Sequence, residues 1–203
     1  MTALDAVSRD IDARGGAAAL ADWERLVPRV SAFACPAKQV ILSAAQVADR
    51  LLFVTAGIAA SEQVYPDGTA GIARFFEPGH ICTNVTSAWE RDIAEDTLIA
   101  ITPVEGVMMP LALFMEEYLD GGAFGRYLRQ KLLDVIAFDK AVICAKTLTR
   151  TEDRYRFLET QYADVITQVP AKDIARFLGV TPQGLSRFLR QRRESGGGER
   201  QQG

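Results

Sequence analysis

Ala171-Lys-Asp-Ile-Ala-Arg-Phe-Leu-Gly-Val-Thr-Pro-Gln-Gly-Leu-Ser-Arg-Phe-Leu-Arg190 reads as helix, tight turn, helix. Ile174, Ala175 and Leu178 fall on one face of a first helix. Gly179 stands where that helix must stop, because a residue without Cβ enters the left-handed turn at little cost. Thr181 is an N-cap residue and Pro182 takes the first helical position, which needs no N–H donor. Leu185, Phe188 and Leu189 give the second helix a buried stripe and turn Gln183, Ser186, Arg187 and Arg190 the other way. A small residue in the first helix and glycine at the bend make this a helix-turn-helix rather than an ordinary helical hairpin. The second helix is narrow and basic enough to enter a DNA major groove, with Arg192 and Arg193 following it.

Charge is divided along the chain. The overall balance is −3. Residues 146–203 nevertheless hold 11 Lys/Arg against 7 Asp/Glu, and residues 1–145 hold 12 against 19. A basic contact module on an acidic body follows, and the field at the contact face matters more than the total. The three cysteines, Cys35, Cys82 and Cys144, are odd in number and far apart, which argues against a disulfide framework and suits a reducing cytoplasm. An acidic start without an apolar run predicts no secretion signal, and no stretch approaches the roughly 20 apolar residues of a membrane span.

Residues 1 to about 30 read as helical, with a break between Asp12 and Gly16. From Lys38 to Met109 the chain becomes short apolar runs punctuated by Pro66-Asp67-Gly68 and Pro78-Gly79. The runs are Val40–Leu42, Leu51–Val54, Ile58–Val64, Gly71–Phe76, Ile81–Val85, Thr97–Thr102 and Val107–Met109, and they predict an antiparallel sandwich or roll. After Pro110 the pattern is helical again, broken at Asp120-Gly121-Gly122. Ala123 to about Leu148 then reads as one long helix. Phe124, Leu128, Leu132, Val135, Phe138, Val142 and Ala145 form its first apolar stripe, and Ile136 and Ile143 widen it to a second face. Two apolar faces need two partners, and a second copy of the chain is the simplest cover for the outer one. If Phe138 lies on that seam, Phe138→Glu should prevent pairing.

The expected architecture is therefore α+β. Residues 1–120 form an antiparallel β-roll of double-stranded β-helix or jelly-roll type, 121–148 a dimerisation helix, 149–195 a helix-turn-helix domain and 196–203 a disordered tail.

This order resembles the CRP/FNR family of bacterial transcription regulators over roughly residues 20–193. In the roll the resemblance rests on Lys38-Gln-Val-Ile-Leu42, Leu52-Phe-Val-Thr-Ala-Gly57, Asp67-Gly68 and Arg74-Phe-Phe-Glu-Pro-Gly79. Towards the C-terminus it rests on Glu152-Asp-Arg-Tyr-Arg-Phe-Leu158, Val169-Pro170 and the helix-turn-helix. It implies a cytoplasmic, non-enzymatic homodimer that binds double-stranded DNA at inverted repeats and contacts RNA polymerase, with the roll as sensor. The positions carried over to DNA are Thr181, Gln183, Gly184, Ser186, Arg187 and Arg190. The family's recognition helix often opens Arg-Glu with a further Arg about four residues on. Here those positions are Pro182-Gln183 and Arg187, so one guanine contact is lost. Only glycine and polar residues follow Arg193, so no β-wing is expected there.

The cyclic-nucleotide cassette departs further. Where relatives carry Gly-Glu and then Arg-Ser or Arg-Thr, this chain has Thr83-Asn84 and Arg91-Asp92. Asn84 lacks the carboxylate for a ribose hydroxyl, and Asp92 puts negative charge where phosphate oxygens would sit. Asn84 and Arg91 remain the candidate effector-pocket residues. His80 and Cys82, spaced i, i+2, are the one arrangement that suggests a metal or haem. A turn histidine and a buried cysteine explain them better, so no metal and no cofactor are assigned. Glu116, Glu117, Asp92, Glu95 and Asp96 read as solvated carboxylates. One histidine leaves little for a hydrolase or for a cupin-type enzyme. The remaining alternative is a small-molecule-binding jelly roll without DNA binding. Calorimetry with cyclic AMP is predicted to show no binding in the micromolar range, and micromolar or tighter affinity would mean the cassette has been misaligned.

Overall fold

The computed structural model describes residues 2–65 and 68–198, so Pro66 and Asp67 of the expected turn lie outside the described residues. Helix α1 spans Ala3–Leu26, opened by a capping box between Thr2 and Asp5, and it kinks at Gly16, where φ is 76°. That value is open to glycine and costly for other residues, and it narrows the expected break at 12–16 to a single position. Val7, Ile11, Ala19, Trp23 and Leu26 form the buried stripe of α1.

The roll follows as β1 (Ser31–Cys35), β2 (Val40–Leu42), β3 (Arg50–Ala56), β4 (Ala59–Val64), β5 (Ala70–Phe76), β6 (Ile81–Cys82), helix α2 (Val85–Glu90), β7 (Thr97–Ala100) and β8 (Val104–Pro110). Two four-stranded sheets result, in the orders β1-β8-β3-β6 and β2-β7-β4-β5, with antiparallel pairing throughout both. Leu52, Val54, Phe76, Cys82, Leu98, Val104 and Met108 fill the space between them.

Two elements depart from the expected pattern. Strand β1 lies before the stretch read as strands, and its residues Ser-Ala-Phe-Ala-Cys are mostly exposed at a sheet edge, so they carry no apolar alternation. The run Ile81–Val85 pairs only at Ile81–Cys82, because the Asn84 side chain accepts from the Ser87 N–H at 2.9 Å and starts α2.

Then come α3 (Leu111–Leu119), α4 (Ala123–Thr147), α5 (Thr151–Gln161), α6 (Ala163–Gln168), α7 (Ala171–Leu178) and α8 (Pro182–Gly198). Helix α8 passes the point where a disordered tail is expected and continues to Gly198, while 199–203 lie outside the described residues.

Helix α4 organises the molecule. Phe124, Tyr127 and Leu128 pack with Val7, Ile11 and Trp23 of α1 in one core. Val142 and Phe138 pack in a second core with Ile58, Ile72 and Phe75 of the roll and with Tyr162, Phe177 and Leu178. Phe138 therefore faces inward, against the rings of His80 and Tyr162, and is not on the outer seam. Helical periodicity identifies two apolar faces but cannot say which one meets which partner. The outward row is Leu133 (59% exposed), Ile136 (57%) and Ile143 (64%).

The start of α4 is capped from another helix. Gly122 offers no side chain, and the Asp22 carboxylate on α1 accepts from the N–H groups of Ala123 and Phe124 at 3.0 and 3.2 Å. The Phe124 N–H first, with Arg25 beside it, holds this carboxyl below the usual carboxylate range against a smaller opposing effect of burial. Asp22→Ala is expected to lower the unfolding free energy by about 1 kcal/mol at neutral pH, by analogy with other lost helix caps. A depressed folded-state pKa stabilises above the unfolded value, so the gap to wild type should close as pH falls through the Asp22 titration. Denaturant melts at neutral and acid pH check this.

Candidate nucleic-acid interface

The helix-turn-helix is built from short-range bonds. Gly179 sits at φ 66° and donates to Ala175 O, and Val180 donates to the same carbonyl at 3.0 Å. The Thr181 hydroxyl accepts from Gly184 N–H at 3.0 Å and the Thr181 carbonyl from Leu185 N–H at 2.9 Å, which opens α8 as its cap residue predicts. Leu185 is buried, and Phe188 and Leu189 are half-buried beneath α8. Thr181, Pro182, Gln183, Gly184, Ser186, Arg187 and Arg190 are all exposed, so the residues expected to face DNA share one outward surface.

Its charges divide cleanly. Among the described residues Arg187 and Arg190 take part in no ion pair. Arg192, by contrast, lies bidentate against Glu159 of α5 at 2.6 and 2.8 Å, with its guanidinium 5.2 Å from the Tyr155 ring. It fastens α8 to α5 and leaves the outward face to its neighbours. Lys172 adds an exposed cation at the start of α7.

Several contacts that fix this unit on the roll have no sequence signal, because their partners are far apart in the chain. Arg176 of α7 reaches Glu62 of β4 at 2.7 Å, across 114 residues, and donates to Ala70 O at 3.3 Å. The Glu77 carboxylate accepts from the Asp164 and Val165 N–H groups at 3.0 and 3.1 Å at the start of α6, and burial pushes its pKa up. Lys146, near the end of α4, donates to Ile72 O at 2.7 Å and stands 5.0 Å from the Phe177 ring. Burial lowers its pKa to about 8.

In the roll the two candidate pocket residues separate. Asn84 lines a cavity of about 300 Å³ with Ser61, Arg74, Thr83, Asp96 and Asp139. Arg91 is not among its lining residues: it is the left-handed cap that ends α2, at φ 60°, and its side chain is exposed. The cation in the cavity is Arg74 of β5, which bonds Asp139 of α4 at 2.6 Å between the rings of Phe76 and Phe138. Sequence spacing could not have found it, because β5 and α4 meet only in the folded chain. His80 Nδ1 accepts from Glu77 N–H at 3.1 Å, while Cys82 is buried and its thiol is pushed up to about 12 by burial. No described helix is long and apolar enough to cross a membrane.

The sequence matches no family model, and no curated protein matches it. Solved structures do match. FixK2 from Bradyrhizobium japonicum aligns with a TM-score of 0.67 at 16% identity, covering 82% of this chain and 86% of its own. A CRP-family transcriptional regulator from Thermus thermophilus gives 0.64 at 15%, covering 81% and 85%. The c-di-GMP-responsive global regulator CLP from Xanthomonas campestris gives 0.60 at 15%, covering 87% and 92%. The fold is that of the CRP/FNR regulators. The shared architecture runs from roll through long helix to helix-turn-helix, as the resemblance in sequence implied.

Proposed function

We propose that this chain is a sequence-specific DNA-binding transcription regulator, acting as a homodimer on inverted-repeat sites in the cytoplasm, and not an enzyme. The observation that carries the reading is the outward face of α8. Gln183, Arg187 and Arg190 stand exposed there beside a capped turn, and among the described residues neither arginine is held by a carboxylate. Gln183 suits a bidentate contact to adenine and Arg187 one to guanine. Thr181, Ser186 and Arg190 suit phosphate, which positions the helix without reading sequence. Gly184 lets the backbone approach closely, and Pro182 brings no side-chain donor.

The exposed row Leu133, Ile136 and Ile143 supports pairing of two copies through α4. Such a pair would set two recognition helices one DNA turn apart, about 34–36 Å. The cavity beside Asn84 is the place for a small effector. Its two carboxylates, Asp96 and Asp139, outnumber Arg74 and disfavour a cyclic nucleotide phosphate. A contact to RNA polymerase belongs to the same reading.

Selection from a random DNA pool should return an inverted repeat. Arg187→Ala should relax preference at one base pair in each half-site, at a cost of about 1–3 kcal/mol there. Arg190→Ala should weaken binding to all sequences and shallow the salt dependence. Equal effects of the two on base preference would overturn these roles, and binding with no salt slope would favour a plain ligand-binding roll. Ile136→Glu should convert the protein to its 22.2 kDa monomer in light scattering at micromolar concentration. A variant that keeps the wild-type mass, or a wild type that is itself monomeric, would remove the α4 pairing.

A further inference from the structure

A second cavity, of about 360 Å³, lies between α1, the turn at Gly79-His80 and the middle of α4. It shares a wall (Arg74, Ile81 and Val135) with the cavity beside Asn84. Its volume is at the small end of ordinary ligand sites, about 300–1,000 Å³. Three cations line it, Arg14 from α1, Arg74 from β5 and Lys131 from α4, against the single carboxylate of Asp134. Lys131 and Arg74 are deeply set, with side chains 6% and 9% exposed. Long cationic side chains are seldom buried without a purpose that offsets the desolvation.

Each cation has a carboxylate neighbour, but the neighbours do not all face the cavity. Lys131 bonds Asp10 at 2.6 Å and donates to Gly79 O at 2.9 Å, and Asp10 lines an adjoining space that Lys131 and His80 also line. Arg74 bonds Asp139, which lines the cavity beside Asn84. Arg14 bonds both Asp10 at 3.0 Å and Asp134 at 3.1 Å. His80 completes the lining. Because its Nδ1 accepts from Glu77 N–H, the neutral ring carries its proton on Nε2 as a donor.

We propose that this cavity is an anion site, taking a small ligand with carboxylate or phosphate oxygens between Arg14, Arg74 and Lys131, with the His80 imidazole as a further donor. The same three cations act on the His80 ring. Burial first, then Arg74, Lys131 and Arg14, lower the His80 pKa to about 4. The groups around the ring are Asp10 and Arg14 on α1, Arg74 on β5, Glu77 in the turn, Lys131, Asp134 and Asp139 on α4, and Asp164 on α6. The Glu77 carboxylate is turned away to the start of α6. Burial is the larger cause, and Arg74, Lys131 and Arg14 act on the ring in the same direction although each is paired with a carboxylate. A bound anion opposes the three cations and raises the His80 pKa, so by linkage anion binding tightens as pH falls. The Phe138 ring, 5.3 Å from His80 and 5.1 Å from Tyr162, sets the site beside the core shared with the helix-turn-helix.

His80 is the single histidine of the chain, so its ring proton resonance reports on this place without assignment. The full chain is titrated with sulfate, a fixed divalent anion, against chloride at matched ionic strength. A saturable shift of the His80 signal is expected, with its pKa raised by about one unit and sulfate bound roughly tenfold more tightly at acid than at neutral pH. Arg14→Ala removes the most exposed of the three cations and should weaken binding about tenfold while leaving the thermal midpoint near wild type. Inorganic phosphate and acetate run alongside tell phosphate from carboxylate preference. Absence of a saturable His80 shift, or a shift indifferent to both Arg14→Ala and pH, would overturn the site.

Discussion

Tyr162 lies fully buried in a ring of aromatic side chains that come from the roll, α4, α5 and α7. Phe75 of the roll meets it edge-on at 5.7 Å, Phe138 of α4 at 5.1 Å, Phe157 of α5 at 6.4 Å and Phe177 of α7 at 5.7 Å. Edge-to-face pairs of this kind add about 0.5–1.5 kcal/mol each beyond the apolar area they bury. The Tyr162 hydroxyl also accepts from the Phe75 N–H at 3.4 Å, so its polar end is not stranded. Without this cluster, α5 to α8 would hang from α4 by a short connection. With it, the roll, the long helix and the helix-turn-helix share one interior.

The polar contacts act in the same direction. Arg176 to Glu62, Lys146 to Ile72 and Glu77 to the Val165 N–H of α6 are partly buried bonds that tie the roll to α4 and to the C-terminal helices. Losing one partner of such a bond costs more than the bond itself contributes, because the other is left desolvated. They fix orientation rather than supply bulk stability. Neighbouring charges such as Arg192 and Arg176 are held in ion pairs within the fold, while Arg187 and Arg190 of α8 have no ion pair among the described residues.

The parts legible in the sequence are those whose signals are local. Gly179, Thr181 and Pro182 decide the turn within a few residues, and the helix-turn-helix follows from them. The bounds of α4 follow from Gly121-Gly122 and the spacing of its apolar residues. Strand β1 escapes such a reading because an edge strand of alanine, serine and cysteine has no alternation to read. Helix α2 escapes it because Val85 and Thr86 favour strand, and the Asn84 cap outweighs them. The inward setting of Phe138 and the place of Arg91 outside the cavity are not legible in the sequence for a different reason. Which face of α4 meets the core, and which arginine enters the cavity beside Asn84, depend on contacts between separate elements, such as Phe138 with His80 and Tyr162 and Arg74 with Asp139, 65 residues on. No short-range pattern encodes those.

If the aromatic cluster makes one cooperative unit, local opening should reveal it. Native-state hydrogen exchange on the intact chain tests this most directly, by comparing amides of α7 with those of β4 and β5 under increasing denaturant. The account predicts that all three converge on one opening free energy, that of global unfolding. Amides of α7 that exchange through a separate opening, lower by about 2 kcal/mol or more, would show that the helix-turn-helix unfolds alone and would contradict it.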